Sequence, residues 1–464
     1  MSEFSIDELG VKVGLEIHQQ LATNKKLFCN CTPIDTDEYS IKFQRKLRAA
    51  KSELGEYDPA ALFEKSKSKT IMYFANPESS CLVEQDEEPP HELDIDAKNI
   101  SLIIASALKS DVFREIYPMR KTVVDGSNTT GFQRTMLISQ GGSFNVEEKE
   151  IGIQSICLEE DAAKILGEDG AIKKYGLERL GIPLVEIATE PFEVKPHEIK
   201  KIALALGRIL RSTKKVKRGL GSIRQDVNVS IKDGNVVIEV KGVQQLDQLE
   251  KVVEYEAKRQ HGLLKISKKL QEIDWTHNEK DRKDVTELFL KKILEINGND
   301  GFLILAAPEE KISVVIDQII LRIEYIRNEG IPIDTRLATQ NGETKFLRPR
   351  PGAARMYPET DIPPIIISNR ELEDALNNIP KSWDDSIKDL QIKYQLNLQL
   401  SEQLFDSSYF ELFEKITKKT KVNPTFVASV LCSTIINLER NGLDSKLLKN
   451  EEITIERKSI RRNN

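Results

Sequence analysis

The segment "IRQDVNVSIKDGNVVIEVKGV", residues 223–243, constrains the fold more than any other because it specifies one antiparallel hairpin. Asp233-Gly234 separates two alternating runs, and this dipeptide is typical of a two-residue type I′ turn, whose central residues need positive φ. The turn fixes the register, since Lys232 then pairs with Asn235. Directly opposed residues share a face, so one face of the hairpin is apolar. The other face carries polar side chains at Asp226, Asn228, Ser230, Glu239 and Lys241.

This polar face has two interpretations. In the first it is the solvent side of an antiparallel sheet, and Asp226 opposite Lys241 is a cross-strand pair that contributes about 0.2–1 kcal/mol. In the second the sheet curls and the face lines a site. A second acid–base pair favours the site, because Glu16 and His18 in "VKVGLEIHQQL" (residues 11–21) are two places apart and share one face of a predicted strand.

Two more predicted strands add carboxylates. "EIGIQSICLEED" contains Glu159 and Glu160, and "IPLVEIATEP" contains Glu186. Clustered carboxylates cannot all ionise at close range without cations, and Mg²⁺ relieves the repulsion by binding carboxylates together with substrate phosphates. The set therefore predicts metal-assisted phosphoryl chemistry. The sequence has no GxxxxGK[ST] loop, no kinase "HRD…DFG" set, and no GxSxG or HExxH motif, which argues against those nucleotide-binding and hydrolase classes.

The composition is that of a globular protein, with 464 residues of which 39% are hydrophobic and 31% charged. No stretch approaches the roughly 18 apolar residues of a spanning helix, and the acidic start "MSEFSIDELG" does not fit a secretory signal. We therefore predict a cytoplasmic protein without membrane contact. The net charge of −6 excludes a nucleic-acid-binding field over the whole chain. Residues 208–224 contain seven Lys/Arg and no acid, which fits either a phosphate-binding turn or a solvated helix end.

The five cysteines do not form a secreted disulfide framework, and reduced thiols are expected. "FCNC" places Cys29 and Cys31 one residue apart, which could supply half of a metal site. No CxxC pair follows, so structural thiols are the favoured interpretation.

Hydrophobic periodicity divides the chain into a β-rich part and a helical part. Amphipathic spacing predicts helices over 197–212 and 247–270, and residues 285–330 show a short α/β pattern. Strand signals end near residue 372, and residues 384–440 are predicted to be all-helical. Asn423-Pro424 is expected to start the clearest of these helices.

Nine motifs in order are similar to those of the E-subunit family of archaeal-type glutamyl-tRNA(Gln) amidotransferases, sister to the bacterial B subunits. The similarity covers about residues 8–260 and 284–450. The motifs are "VGLEIHQQL", "KLFCNC", "CLVEQDEEPPHELD", "DGSNTTGFQRT", "ICLEEDAAK", "YGLERLGIPLVEIATEP", "KRGLGSIRQDVNVSI", "DVTELF" and "PGAARMYPETDIPP".

The resemblance implies an α+β fold with a β-rich catalytic cradle at 1–283, a reduced α/β insert at 284–340, a return segment of the cradle at 341–372, and a helical tRNA-binding domain and tail at 373–464. It also implies an ATP- and Mg²⁺-dependent reaction. The γ-carboxylate of glutamate on misacylated tRNA(Gln) is phosphorylated, and ammonia then displaces the phosphate to give glutaminyl-tRNA. The ammonia would come from an asparaginase-like D subunit, in a heterodimer or heterotetramer.

The resemblance also assigns roles to residues. The implied catalytic residues are Glu16, His18, Glu159, Glu186, Asp226, Glu239 and Lys241, and the first four are the implied metal ligands. Residues expected near phosphate or substrate are Lys217, Arg218, Arg224, Arg355 and Tyr357. The alternative for Arg355 and Tyr357 is that they pack the return segment onto the sheet.

Two departures from the family concern RNA binding rather than chemistry. Family members have a larger insert between "DVTELF" and the "DTR…LRP" region, where this sequence has about 45 residues. They also continue into a further tRNA-binding tail domain, whereas this sequence ends at Asn464. Two alternative functions therefore stand beside the amidotransferase: a non-catalytic tRNA-binding or assembly subunit of the same complex, and a free-standing ATP-dependent ligase.

Overall fold

The structure is a computed structural model that describes residues 6–49, 51, 55–219, 221–272 and 308–440. Its strands are β1 Lys12–Gln20, β2 Ile41–Arg45, β3 Thr70–Ala75, β4 Asp111–Val112, β5 Glu115–Ile116, β6 Pro118–Thr122, β7 Phe132–Gln140, β8 Ser143–Val146, β9 Lys149–Glu160, β10 Lys164–Asp169, β11 Ile172–Gly176, β12 Pro183–Thr189, β13 Phe192–Glu193, β14 Ile223–Ser230, β15 Ile238–Val243, β16 Asp334–Ala338, β17 Thr344–Pro349, β18 Met356–Pro358 and β19 Ile365–Ile366.

The α-helices are α1 Pro59–Ser66, α2 Ile95–Ala107, α3 Ile199–Ser212, α4 Leu246–Glu272, α5 Glu309–Glu329, α6 Asn369–Asn377, α7 Trp383–Tyr394, α8 Leu398–Asp406, α9 Phe410–Lys419, α10 Pro424–Ser429 and α11 Ile435–Arg440. A π-helical turn, Val430–Thr434, joins the last two, and Asn423 caps α10 with its side-chain oxygen. None of the helices in the described part of the chain is long and apolar enough to cross a membrane.

Thirteen strands form one large sheet, and its order is β17-β16-β15-β14-β1-β12-β9-β7-β6-β18 along the main path. The pairings along this path are antiparallel except for β15 with β16, which is parallel. The five strands predicted from alternation are confirmed as β1, β9, β12, β14 and β15. They are neighbours in the sheet although the chain visits them in a different order, so the acidic segments lie side by side.

One face of this sheet is the main core. On β1 the side chains of Val13, Leu15 and Ile17 are fully buried, because the strand's odd-numbered positions all point toward the covering helices. The predicted helices are confirmed as α3 and α4, and their apolar stripes, which include Leu206 and Val253, pack into the same core. Burying this face leaves the even-numbered residues of β1 on the other side of the sheet, where the polar positions of the hairpin also lie.

The β14–β15 hairpin keeps the predicted register over Val227–Val229, including Asn228 opposite Glu239. Two details of the prediction were wrong. A bulge between Gln225 and Val227 shifts the pairing toward the open end, and the turn is not type I′. The amide of Gly234 donates to the carbonyl of Ile231, and the positive φ is at Asn235 (51°), so the loop is longer than two residues.

A smaller sheet, β10-β11-β3-β2, packs beside the large one around Tyr73 and Tyr175. Helices α7 to α11 bury a separate apolar core that includes Leu404, Phe405 and Phe413, in agreement with the predicted helical region. Strand β16 falls in the range predicted for the insert but pairs with β15 in the large sheet. The α/β pattern at 285–330 is described only in part, because "DVTELF" and "GFLILAA" lie outside the described residues.

Candidate active site

The polar face of the large sheet gathers five carboxylates and one imidazole. Their ligand atoms form two groups, each with all members within 4.8 Å of one another. The first group is His18, Glu159 and Glu186, and the second is Glu16, Asp226 and Glu239. They come together because their strands adjoin, with His18 opposite Glu186 on β12 and Glu16 opposite Asp226 on β14.

A lysine that the sequence analysis did not identify holds the first group together. The ammonium of Lys121, on β6, lies 2.7 Å from a carboxylate oxygen of Glu159 and 3.5 Å from one of Glu186. That same oxygen of Glu186 is 3.0 Å from Nε2 of His18. The carboxylate of Glu159 also accepts hydrogen bonds from the Thr135 hydroxyl and the Gln133 amide. Every carboxylate of this group therefore has a fixed orientation.

The second group has the same arrangement around Lys241. Its ammonium lies 2.7 Å from Asp226 and 2.5 Å from Glu239. The amide of Gly242, a residue with φ of 79°, donates to the other oxygen of Asp226 at 3.0 Å. Two further hydrogen bonds complete the group: Asn228 donates to Glu16, and the Thr335 hydroxyl donates to Glu239, each at 3.0 Å.

Burial and neighbouring charges shift the pKa values of the carboxyl groups in the site. Burial opposes ionisation of Glu186, but Lys121 and His18 outweigh it and hold the pKa of Glu186 well below its usual value. Burial also opposes ionisation of Asp226 and Glu239, but the ammonium of Lys241 outweighs it and lowers the pKa of both carboxyls. Glu16 is different, since burial and the neighbouring acids raise its pKa despite Lys241.

The basic groups respond in the opposite direction. Burial disfavours charge on His18, but the hydrogen bond and charge of Glu186 raise its pKa above the usual value. The pKa of Lys121 and that of Lys241 are also raised, because nearby carboxylates outweigh burial. Two ammonium groups and one imidazole lie among five carboxylates, so acidic side chains outnumber basic ones within the two groups.

This donor set fits a hard divalent cation. Mg²⁺ takes oxygen ligands at 2.0–2.1 Å, which places ligand atoms no more than about 4.2 Å apart across the ion. The two groups, with atoms within 4.8 Å of one another, need only a small closure to reach that spacing. An excess of carboxylates over ammonium groups is the charge pattern that such an ion neutralises.

Of the residues predicted to lie near phosphate or substrate, two are close to the carboxylate groups in the structure. Arg355 lies beside the carboxylates: its Nε donates to the carbonyl of Thr122 at 3.3 Å, and burial together with the charge of Arg348 lowers its pKa while Glu239 and Glu159 oppose that effect. Arg224 faces His18 across β1 and β14, where its guanidinium binds the buried carboxylate of Asp161 at 2.7 Å.

Three predicted residues are not brought to the carboxylates. Lys217 reaches the carbonyl of Pro33 at 3.3 Å. Arg218 donates to the carbonyls of Phe405 and Ser407, which joins the helical region to the sheet. Tyr357 pairs with Arg120 on β6, next in sequence to Lys121, and therefore lies on the opposite face of the sheet. Its ring contacts Phe132 there. Glu160 is on that face too, bound to Arg134.

The two cysteines of "FCNC" lie in a larger group. Cys29, Cys31, Cys81 and Glu84 have their ligand atoms within 4.8 Å of one another. The thiol of Cys29 donates to Glu84 at 2.8 Å, and the fully buried Lys26 lies 3.6 Å from the same carboxylate. Cys81 is far from the pair in sequence, so spacing alone did not indicate that a third thiol joins it.

The chain resembles known proteins over nearly its whole length. Residues 11–373 match the model of the GatB/GatE catalytic domain. Curated relatives include the E subunit of the glutamyl-tRNA(Gln) amidotransferase from Sulfurisphaera tokodaii, 40% identical over an alignment of 529 positions that covers 97% of this chain and 84% of the relative. The corresponding E subunit from Saccharolobus solfataricus is 40% identical, with 99% of this chain and 85% of the relative covered.

The same protein from Saccharolobus islandicus is 38% identical over an alignment that covers all of this chain and 85% of the relative. Both the matched domain and the relatives agree with the family indicated by the nine motifs. The chain belongs to the GatB/GatE family.

Proposed function

We propose that this chain is the ATP-dependent subunit of a cytoplasmic glutamyl-tRNA(Gln) amidotransferase, which converts glutamate on misacylated tRNA(Gln) to glutamine. The observation that carries the proposal is the convergence of Glu16, Glu159, Glu186, Asp226 and Glu239, with His18, on one face of the sheet. Membership of the GatB/GatE family supports the same function. A degenerate assembly subunit would have no need for this set of acids. Against a free-standing ligase stands the similarity over nearly the whole chain to subunits of a glutamyl-tRNA(Gln) amidotransferase.

The reaction needs activation because a carboxylate repels nucleophiles and has no leaving group. In the first step an oxygen of the glutamate γ-carboxylate forms a bond to the γ-phosphorus of ATP, and the bond to ADP breaks. In the second, ammonia forms a bond to the carboxyl carbon (Cδ) of the glutamyl phosphate, inorganic phosphate leaves with the electron pair of the C–O bond, and nitrogen loses a proton. The ammonia would come from a partner amidase subunit of the D type.

The residues of the site have separate parts in this scheme. His18, Glu159 and Glu186 would hold Mg²⁺, which when bound supplies positive charge that screens the approach of ATP to a carboxylate. Glu16 belongs to the second group, with Asp226 and Glu239, and would supply a carboxylate to an ion there. Lys121 and Lys241 hold the carboxylates in place and present ammonium charge to the transferred phosphoryl group. Arg355, half-buried and bound to the carbonyl of Thr122 on β6, adds a cation at the edge of the site.

The decisive experiment is reconstitution. The chain is mixed with a D-type amidase subunit, ATP, Mg²⁺ and glutamyl-tRNA(Gln), and the amino acid on the tRNA is analysed. Glutamine should form only when all components are present. ATP-independent amidation, or none with a partner that itself releases ammonia, would contradict the proposal.

Two variants test the assignment of the carboxylates. Glu16→Gln and Asp226→Asn should still bind glutamyl-tRNA, because a tRNA is far larger than the site and most of its contacts must be made elsewhere, but should form no phosphorylated intermediate. Trapping with labelled ATP measures the intermediate, and a filter-binding assay measures the RNA. Undiminished amidation by either variant would remove these residues from the mechanism.

A further inference from the structure

A basic cavity of about 460 Å³ lies at the edge of the large sheet that β17 forms. Seven lysine and arginine side chains line it, against three acids. They come from the segment after β2, the end of α1 and the turn that follows it, β11 and β17. Concentrating like charge around a hollow costs free energy through repulsion, so this excess of positive charge indicates an anionic ligand.

The wall of this cavity formed by α1 is fixed to the large sheet. The ring of Phe63 on α1 makes an edge-to-face contact with Phe346 on β17, with centroids 5.7 Å apart. At the start of the helix, Asp58 accepts from the amide of Ala61 and from the amide of Gly352. The cations of α1 and β17 are therefore carried by a packed scaffold.

Several of these cations lack a local counter-charge. Lys67 pairs with Glu64 and Lys69 with Glu168. In contrast, Lys46, Arg48 and Lys65 form no ion pair with any residue in the described ranges. In the lining of the same cavity, Nε of Arg348 is buried without a hydrogen-bond partner among the described residues, although buried donors are almost always paired.

Arg348 also connects the cavity to the carboxylate site. It lies on β17 opposite Thr335 of β16, whose hydroxyl donates to Glu239. Its charge reaches Arg355, which lies on the other side beside Glu239 and Glu159. A ligand whose reactive end is at the carboxylates can thus place further anionic groups in the cavity.

We propose that this cavity binds phosphate groups of a ribonucleotide whose reacting end occupies the carboxylate site. Its volume is within the range of about 300–1,000 Å³ that nucleotide-sized ligands use, and arginine and lysine are the usual partners of phosphate. The phosphates come either from ATP or from the 3′-terminal nucleotides of the tRNA. The inference rests on the proposed function, since both sources are substrates of that reaction.

The test compares two double variants of the full chain. Arg48→Ala with Lys65→Ala removes two exposed, unpaired cations of the cavity. Lys268→Ala with Lys269→Ala removes two exposed cations from α4, which does not line the cavity, and is the charge-matched control. Binding of ATP with Mg²⁺ is measured by calorimetry. Binding of an RNA hairpin that ends in CCA and carries no amino acid is measured by fluorescence anisotropy over a salt series.

The cavity variant should bind at least one of the two ligands about tenfold more weakly than the control does. If RNA is the ligand, the slope of log K against log salt should also become shallower by about 1.4, the value for two lost phosphate contacts on a single strand. Weaker ATP binding alone identifies the triphosphate, and weaker RNA binding alone identifies the 3′ end.

Equal binding of both ligands by the two double variants would overturn the proposal. Lys65→Gln alone, which removes the charge and keeps a polar side chain, gives the same comparison if the double variant does not fold. None of these measurements requires turnover. Failure of amidation with cavity-dependent binding intact would therefore contradict the proposed function and leave the cavity assignment standing.

Discussion

The two groups of carboxylates in the site are built in the same way but from different parts of the chain. In the second group (Glu16, Asp226 and Glu239), called the hairpin group from here on, Lys241 lies between Asp226 and Glu239. These last three residues all lie within residues 226–241 of the hairpin. In the first group (His18, Glu159 and Glu186), called the central group from here on, Lys121 lies between Glu159 and Glu186. Lys121, Glu159 and Glu186 are on three different strands that long connections separate. The comparison shows that one electrostatic solution, an ammonium between two acids, is reached by local pairing in one case and by sheet order in the other.

The groups also differ in what else they contact. Only the central group includes an imidazole, and Glu186 contacts His18 and Lys121 through one oxygen. In the hairpin group, Glu239 contacts Lys241 and the hydroxyl of Thr335. We infer that activity and stability are more sensitive to substitutions in the central group than in the hairpin group. Matched substitutions of one glutamate and one lysine in each group test that difference, beginning with the largest expected effect.

The largest effect is expected from Glu186→Gln. The neutral amide would lose the charge that balances His18 and Lys121, and kcat/KM for amidation should fall by about a thousandfold. Glu239→Gln is the matched change in the hairpin group and should cost less, about ten- to a hundredfold, since Thr335 can still donate to its oxygen. Steady-state amidation assays give both values. Equal losses would show that the two groups contribute alike.

A smaller effect, on stability, is expected from replacing the lysines. Lys121→Met leaves Glu159 and Glu186 without their ammonium, and an uncompensated buried charge costs about 3–5 kcal/mol in the free energy of unfolding. Since a bound cation stabilises only the folded state, saturating Mg²⁺ should recover part of this loss. Denaturant titrations of Lys121→Met and Lys241→Met, with and without Mg²⁺, make the comparison. A loss that Mg²⁺ leaves unchanged in both variants would indicate that the carboxylates do not bind the ion.

The same comparison explains how far the sequence predicts the site. Alternation in "IRQDVNVSI" and "NVVIEVKGV" places Asp226, Glu239 and Lys241 on one face, because a short loop limits the register. The bulge and the actual turn were missed, since Asn235 and not Gly234 takes the positive φ. The Cβ atom of a non-glycine residue does not exclude that conformation, and asparagine adopts it more readily than most residues.

Lys121 could not be found in this way. It is brought to Glu159 by β6 pairing with β7 and β7 with β9, and the connection between β6 and β7, residues 123–131, is too long for its sequence to fix a register. The strand pattern "PMRKT" does place Lys121 and Met119 on one face, but nothing local indicates which side is polar. Tyr357 illustrates the same limit, since a single residue's shift moves a side chain to the opposite face.

The hairpin group provides a third, smaller test at Gly242. Its φ of 79° is unfavourable for alanine, and a Cβ there would lie 3.1 Å from Leu337. Gly242→Ala should therefore destabilise the fold by about 1–3 kcal/mol and loosen the amide that binds Asp226. Gly262→Ala on α4 is the control, because open space surrounds that position and alanine favours a helix by about 1 kcal/mol. Thermal unfolding of both variants should show opposite signs, and equal shifts would contradict the conformational argument.

The smallest effect is expected outside both groups, at Glu371 on α6. Lys98 on α2 lies 2.5 Å from its carboxylate, and this pair, with hydrogen bonds from Ser368, lowers the pKa of Glu371 to about 2. A lowered pKa means that the ionised form stabilises the folded state above the unfolded pKa of about 4.3, and that this contribution disappears as the pH falls toward 2.

Glu371→Gln should therefore reduce the free energy of unfolding by no more than about 1 kcal/mol at neutral pH, the usual value of a surface ion pair, and the difference from the unsubstituted chain should shrink as the pH falls below about 4. Urea titrations at neutral and acidic pH measure it. Amidation should remain unchanged, because α6 carries none of the carboxylates. A loss of activity as large as that of Glu239→Gln would show that small changes in stability alone can inactivate the enzyme, and the contrast between the hairpin and central groups would then have to be measured at equal stability.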